Sequence, residues 1–258
     1  MSKSVLFVHG AWVTPACWER FISLYTGSGY RCFAPAWPYL DRPVGELKGH
    51  VDPRLADQTI GMLVEHYAKK IRELPEPPIL VGHSFGGLIV QLLLDRGLGS
   101  CGVAIDSGPP SGVLPSFPAL KAALPVLLTW NGWSTLHTMS FEAFAKTFAN
   151  TLPASEMQQT YDDQIVPAPG RIYFQAAIGV GNSLNFSNPG RPPLLLITGE
   201  KDVTSTPSMV RAMYKKHLRS PQPVAIMEFA GRSHWIIAEP GWEEVAEKAI
   251  RWVEQQLE

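Results

Sequence analysis

The chain has 258 residues, 45% of them hydrophobic and only 17% charged, with a net charge of −1. That length and apolar content support a full core at the upper end of single-domain size. The near-neutral, scattered charge argues against nucleic acid and anionic membranes as partners, and no apolar stretch approaches the ~20 residues of a membrane span.

Three cysteines, Cys17, Cys32 and Cys101, are odd in number and form no CxxC pair, so reduced thiols are expected rather than a disulfide framework. The opening residues run directly into a short apolar stretch that His9-Gly10 ends, without the pattern of a signal peptide. A cytoplasmic location is the expectation.

In chain order, residues 5–8 are a continuous apolar run, as in a strand buried on both faces of a parallel sheet. Thr14-Pro15 supplies an N-cap and an N1 proline for a helix to about Tyr25. Residues 30–34 form a second strand, closed by Pro35 and Pro38. Residues 40–57 are polar, contain Pro43 and Pro53, and read as a long surface excursion. Residues 58–74 form an amphipathic helix with Ile60, Leu63, Val64, Tyr67 and Ile71 on one face. A strand at 79–81 meets Gly82-His83-Ser84-Phe85-Gly86-Gly87, then an apolar helix over 88–94 and a strand at 103–105.

The alternation of strand and helix then stops. From Gly108 to about Arg191 the chain is rich in proline, tryptophan and other aromatics, with short helical patterns such as 141–148. The rhythm resumes with a strand at 194–197, a helix at 207–218, a strand at 224–229 and a final amphipathic helix at 242–257. Such alternation specifies a parallel sheet with helices on both faces. The block 108–191 reads as a cap inserted into a core made of residues 1–107 and 192–258.

Gly82-x-Ser84-x-Gly86 between a strand and a helix has the context of a nucleophile elbow. So tight a turn demands strained backbone at the serine, and side chains at 82 and 86 would collide. A serine hydroxyl needs a base, and the base needs an orienting acid. His234 lies in a loop directly after the strand 224–229, where the carboxyl ends of parallel strands gather ligands. His83 reads as a buttress of the turn and His9 as a structural residue of its loop. Asp202 follows the strand 194–197 within Thr-Gly-Glu-Lys-Asp; Asp106, at the end of the strand 103–105, is its rival. Asp202, on a glycine-containing turn, is favoured, and the chain order is then Ser84, Asp202, His234. The backbone amides of Phe85 and Ala11 are the expected oxyanion donors, with Gly10 permitting close approach. No HExxH, P-loop or GxGxxG pattern signals a metal or nucleotide cofactor.

These motifs resemble the α/β-hydrolase superfamily over nearly the whole chain: His9-Gly10 after a strand, Gly82 to Gly87, Gly199-x-x-Asp202, and Ser233-His234-Trp235. The His-Gly-Ala-Trp form is similar to the compact branch of plant esterases, hydroxynitrile lyases and bacterial hydrolases. The resemblance implies an α/β fold of about six parallel strands, where the full family fold has eight. It also implies a cofactor-free serine esterase acting on a small to medium apolar carboxylic ester. Hydroxynitrile lyases of that branch carry threonine at the position of Gly10 and lysine at that of Trp235. Trp12 and Trp235, with cap aromatics among Phe117, Trp130, Trp133, Phe141, Phe144 and Phe148, are expected to wall an apolar cleft. A lyase or C–C bond hydrolase on the same triad, and a non-catalytic small-molecule receptor, stay open as alternatives.

Overall fold

The computed structural model describes residues 4–258. Its elements run β1 (Ser4–Val8), α1 (Glu19–Gly27), β2 (Arg31–Phe33), α2 (Val44–Gly49), α3 (Ile60–Arg72), β3 (Ile79–His83), α4 (Phe85–Asp95) and β4 (Cys101–Ile105). There follow α5 (Phe117–Leu127), β5 (Leu136–His137), α6 (Phe141–Ala143), α7 (Ala154–Gln164), β6 (Ala168–Pro169) and α8 (Arg171–Ile178). The chain closes with β7 (Leu194–Gly199), α9 (Pro207–His217), β8 (Val224–Phe229) and α10 (Trp242–Leu257).

Six strands form one sheet, parallel throughout, in the order β2-β1-β3-β4-β7-β8. The four inner strands are the continuous apolar runs, and every residue in them is buried. Such runs lose water on both sides only when both faces of the sheet are covered. The pleat shows how that is done. Phe7 pairs with Val81, so it points away from the face to which Gly82 belongs. The Phe7 ring meets Trp18 and Tyr25 beside α1, whereas a Cβ on Gly82 would point at Val90 of α4. Helices α1 and α10 pack together on the first face, and α3 and α4 on the second.

The register aligns the carboxyl ends of the strands. Val8 stands opposite Gly82, His83 opposite Ile105, Ile105 opposite Ile197, and Gly199 opposite Phe229. The loops that follow these strands therefore share one rim.

Residues between β4 and β7 add no strand to this sheet. They form α5, α6 with a π-helical turn at Phe144–Phe148, α7, α8 and the antiparallel ribbon β5-β6. Long-range hydrogen bonds tie this insertion to the rim. Val166 N–H donates to the Trp12 carbonyl at 2.8 Å, Trp12 Nε1 donates to His137 O at 3.0 Å, and Thr204 Oγ1 donates to Thr147 O at 2.7 Å.

Two expectations need correction. Thr14 caps as expected, but it opens a 3-10 turn, Pro15–Trp18, ahead of α1. Residues 40–57 are not simply surface: they hold α2 and a 3-10 turn at Pro53–Asp57, and bury Leu40, Leu47, Leu55 and Ala56. Apolar residues so thinly spaced create no periodicity. Helix α3 begins at Ile60 with Thr59 as its cap, and all five residues of the expected face are buried. All three cysteines are free.

Candidate active site

Ser84 sits at the junction of β3 and α4 with φ 57° and ψ −123°. An L-residue reaches that region only when its surroundings over-determine it. Here they do. Ser84 N–H donates to Ile105 O at 3.0 Å, and Ser84 O accepts from Gly108 N at 2.9 Å and Leu88 N at 3.2 Å. A Cβ on Gly82 would strike the Gly86 carbonyl, and one on Gly86 would strike the Val8 carbonyl. Both glycines are thus required for the turn. A Cβ on Gly10 would lie 2.8 Å from Ser84 Cβ, so the His-Gly loop abuts the serine.

His234 follows β8 and its Nδ1 bonds Asp202 Oδ2 at 2.7 Å, with both side chains fully buried. Asp202 Oδ1 is occupied separately, accepting from Thr204 N at 2.6 Å and Ser205 N at 2.9 Å. An ionised carboxylate is acceptor only, so the bond places the proton on Nδ1. That leaves Nε2 as the basic nitrogen, buried and without a protein hydrogen-bond partner. Phe148 stands against the imidazole edge-on at 4.9 Å.

The loop carrying His234 is clamped from beneath. His83 Nε2 lies 2.7 Å from the His234 carbonyl, which can only accept, so the His83 ring donates. Burial, reinforced by His234 nearby, pushes the His83 pKa well below its ordinary value and keeps that ring neutral. His83 thus buttresses the histidine loop across the site. Glu239 adds a clamp that sequence reasoning missed: Oε1 accepts from Ser233 N at 2.9 Å and Oε2 from Ser233 Oγ at 2.7 Å. An acid shortly after Ser-His-Trp and just before the last helix is the signal available for it. His9 stacks on Trp37 at 4.9 Å and its Nε2 accepts from Trp37 N at 3.0 Å, a structural arrangement.

Asp106 is fully buried at φ 43°, with Oδ1 accepting from Gly199 N at 2.9 Å. It approaches within 4.8 Å of ligand nitrogens of His83 and His234, but Asp202 holds the bond to His234. Burial, then the neighbouring charge of Asp202, raises the Asp106 pKa well above the carboxylate range.

Phe85 is the first residue of α4, so its amide belongs to the first turn, where no intrahelical acceptor exists. Ala11 is buried in the loop after β1, between Gly10 and Trp12, which adopts φ 66°.

Ser84, Trp12 and Phe85 open onto a cavity of about 430 Å³ between the rim and the insertion. No charged side chain lines it, and its wall is mainly aliphatic, with Val113, Leu120, Ala123, Leu127, Ala176 and Met209 among the contributors. The expected apolar wall and Trp12 are there, while Trp235 and the named cap aromatics are not part of it. Trp235 is 1% exposed and packs on Phe148 at 5.6 Å, away from the cavity. Of the cap aromatics, Phe144 and Phe148 are buried in the packing, while Phe117 and Trp130 face outward. None of the six lines the cavity; Tyr173 of α8 does.

A serine on a strained strand-to-helix turn, at the rim where a histidine-aspartate pair is buried, defines a hydrolase-type site on a parallel α/β sheet. The sequence matches the alpha/beta hydrolase family over residues 5–248, and the chain belongs to that family. A comparison with curated proteins finds no match. Among solved structures, it is similar to a monoacylglycerol lipase of Paleococcus ferrophilus, with 22% identity, TM-score 0.71, and 99% and 96% of the two chains covered. It is also similar to a methylesterase from Arabidopsis (16%, 0.70, 97% and 98%) and a pyrethroid hydrolase from Sphingobium faniae (19%, 0.68, 98% and 98%). At these identities the likeness is one of fold. Among the described residues, no helix is long and apolar enough to cross a membrane.

Proposed function

We propose that the chain is a serine esterase that cleaves uncharged carboxylic esters of small to medium size through an acyl-enzyme. Ser84 Oγ attacks the carbonyl while His234 Nε2 takes its proton and then passes it to the leaving alkoxide. Asp202 holds the imidazole in the Nδ1–H tautomer and stabilises the imidazolium. The amides of Phe85 and Ala11 receive the oxyanion, and water, deprotonated by His234, releases the acid. The insertion 108–191 acts as the cap that walls the substrate, with Trp12 on the core side.

The observation that carries this reading is the pairing of a strained Ser84 with a cavity free of charged side chains, on the rim where Asp202 holds His234. An apolar acyl group gains burial there, while an anionic substrate gives up hydration without a partner. The esterase and lipase names of the structural neighbours are in keeping with it.

Purified protein assayed on neutral esters of graded acyl length, beside a matched anionic series, tests the proposal. Neutral esters should turn over repeatedly, a fluorophosphonate should label Ser84, and Ser84→Ala should abolish both. Near-full esterase activity in Ser84→Ala, or strong preference for the anionic series, would sink it.

A further inference from the structure

Between residues 107 and 140 the only Lys, Arg, Asp or Glu is Lys121, in a chain that is 17% charged. This stretch also holds large apolar side chains out in water: Leu114 is 85% exposed, Phe117 80%, Leu128 76% and Trp130 94%. A surface helix ordinarily turns a polar face to solvent. Helix α5 instead lines the cavity with Ala119, Ala123 and Leu127 and exposes Phe117 and Leu124 on its other sides. Single exposed apolar residues are ordinary, but a contiguous group of them marks a contact surface.

The position of the group identifies what it contacts. Leu114, Leu120 and Ile178 are exposed at 85%, 43% and 66%, yet also line the cavity onto which Ser84 opens. The outer apolar surface therefore continues over the rim into the site, with exposed Lys121 beside Leu120 and the Lys216 ammonium near Gly112 at its edge. A second copy seated on this face would lie across the entrance that a substrate uses. A lipid surface would not, because it is itself the source of substrate.

We propose that this face of the insertion docks on the surface of an uncharged lipid aggregate, and that a single-chain ester passes from it over Leu114, Leu120 and Ile178 to Ser84. Phe117, Leu128 and Trp130 enter the acyl boundary, as apolar and aromatic residues of surface-bound helices do. The sparse charge that argues against anionic membranes does not bear on this contact, which is apolar and insensitive to salt. The ester passage, and the choice of a lipid surface over a second copy, rest on the esterase reading above; the apolar face itself does not.

The test uses the intact Ser84→Ala protein, which binds without turnover, in flotation with unilamellar vesicles of pure phosphatidylcholine. It should float with the vesicles at low and at high salt. Adding Phe117→Ser and Trp130→Ser should cut partition by about tenfold or more. In the active enzyme the same pair should leave hydrolysis of a dissolved short-chain ester unchanged and slow hydrolysis of a micellar one, the dissolved rate serving as the control for folding. Docking is overturned if Ser84→Ala fails to float. It is equally overturned if size exclusion shows a dimer that the paired substitutions dissociate, since a second copy then covers the face. Flotation without any ester turnover would leave docking standing and remove the esterase reading instead.

Discussion

Replacing Asp202 by asparagine separates the two carboxyl groups that crowd His234. The Asp202 carboxylate is used on both sides, with Oδ1 taking Thr204 N and Ser205 N and Oδ2 taking His234 Nδ1–H. An amide has one oxygen. Two fixed backbone donors compete for it against one imidazole, so the oxygen stays with them and the NH₂ turns toward Nδ1. Nδ1 must then accept, the ring proton moves to Nε2, and the base toward Ser84 is lost. Inverting that tautomer costs about 10⁴ in turnover, or roughly 5.5 kcal/mol of barrier. Asp106→Asn is the matched control. Its amide oxygen can keep the bond from Gly199 N, and an uncharged amide replaces a carboxyl whose ionised form burial already disfavours. The loss there should stay within about tenfold. The assay is kcat/KM on a neutral ester for both variants, with thermal unfolding as the check on folding. Asp106→Asn falling further than Asp202→Asn would refute the assignment and move the acid to the end of β4.

Gly86→Ala places a Cβ against the Val8 carbonyl, backbone on backbone, and should cost about 3 kcal/mol or prevent accumulation of folded protein; a urea midpoint equal to that of the parent would show that the turn relaxes. Buried His9 and His217 have pKa values lowered to about 4 and about 3, and His83 is also held well below the ordinary 6.5. Their stabilisation is complete above the unfolded value and is lost as pH falls toward the folded ones, for His9 and His217 about 2 kcal/mol each by pH 5. The raised pKa of buried Asp106 acts in the opposite direction, but the histidines with lowered pKa values, His66 among them, outnumber it; urea unfolding at neutral pH and at about pH 5 checks this, and a midpoint that rises on acidification contradicts it. Gly10 and Trp235 supply neither the threonine nor the lysine of the hydroxynitrile lyases, and Trp235 is buried, so mandelonitrile should release no enzyme-dependent cyanide at rates rivalling ester turnover.

Much of this molecule is legible locally. An apolar run such as residues 5–8 or 194–197 carries its own instruction to be buried on both faces, and the alternation of such runs with amphipathic helices specifies the parallel sheet. Gly82 and Ser84 are readable for the same reason, because the clash that requires Gly82 is set within five residues, whereas Gly86 answers to the Val8 carbonyl of the neighbouring strand. What lies between distant segments was decided by packing. Asp106 and Asp202 both follow inner strands of the sheet, and nothing in their neighbouring residues says which one meets His234. The fold settles it by giving Gly199 N to Asp106 and two amides of its own turn to Asp202, which leaves Oδ2 of Asp202 for the imidazole. Composition likewise suggested cap aromatics in the wall of the cleft, but ring-rich segments spend their rings on whichever surface their helix presents. Here Phe144, Phe148 and Trp235 pack inward, Phe117 and Trp130 turn to water, and the small and branched residues of α5 and α8 are left to face Ser84. Side-chain direction across an insertion is a property of how its helices seat on the rim, and that seating exists only in three dimensions.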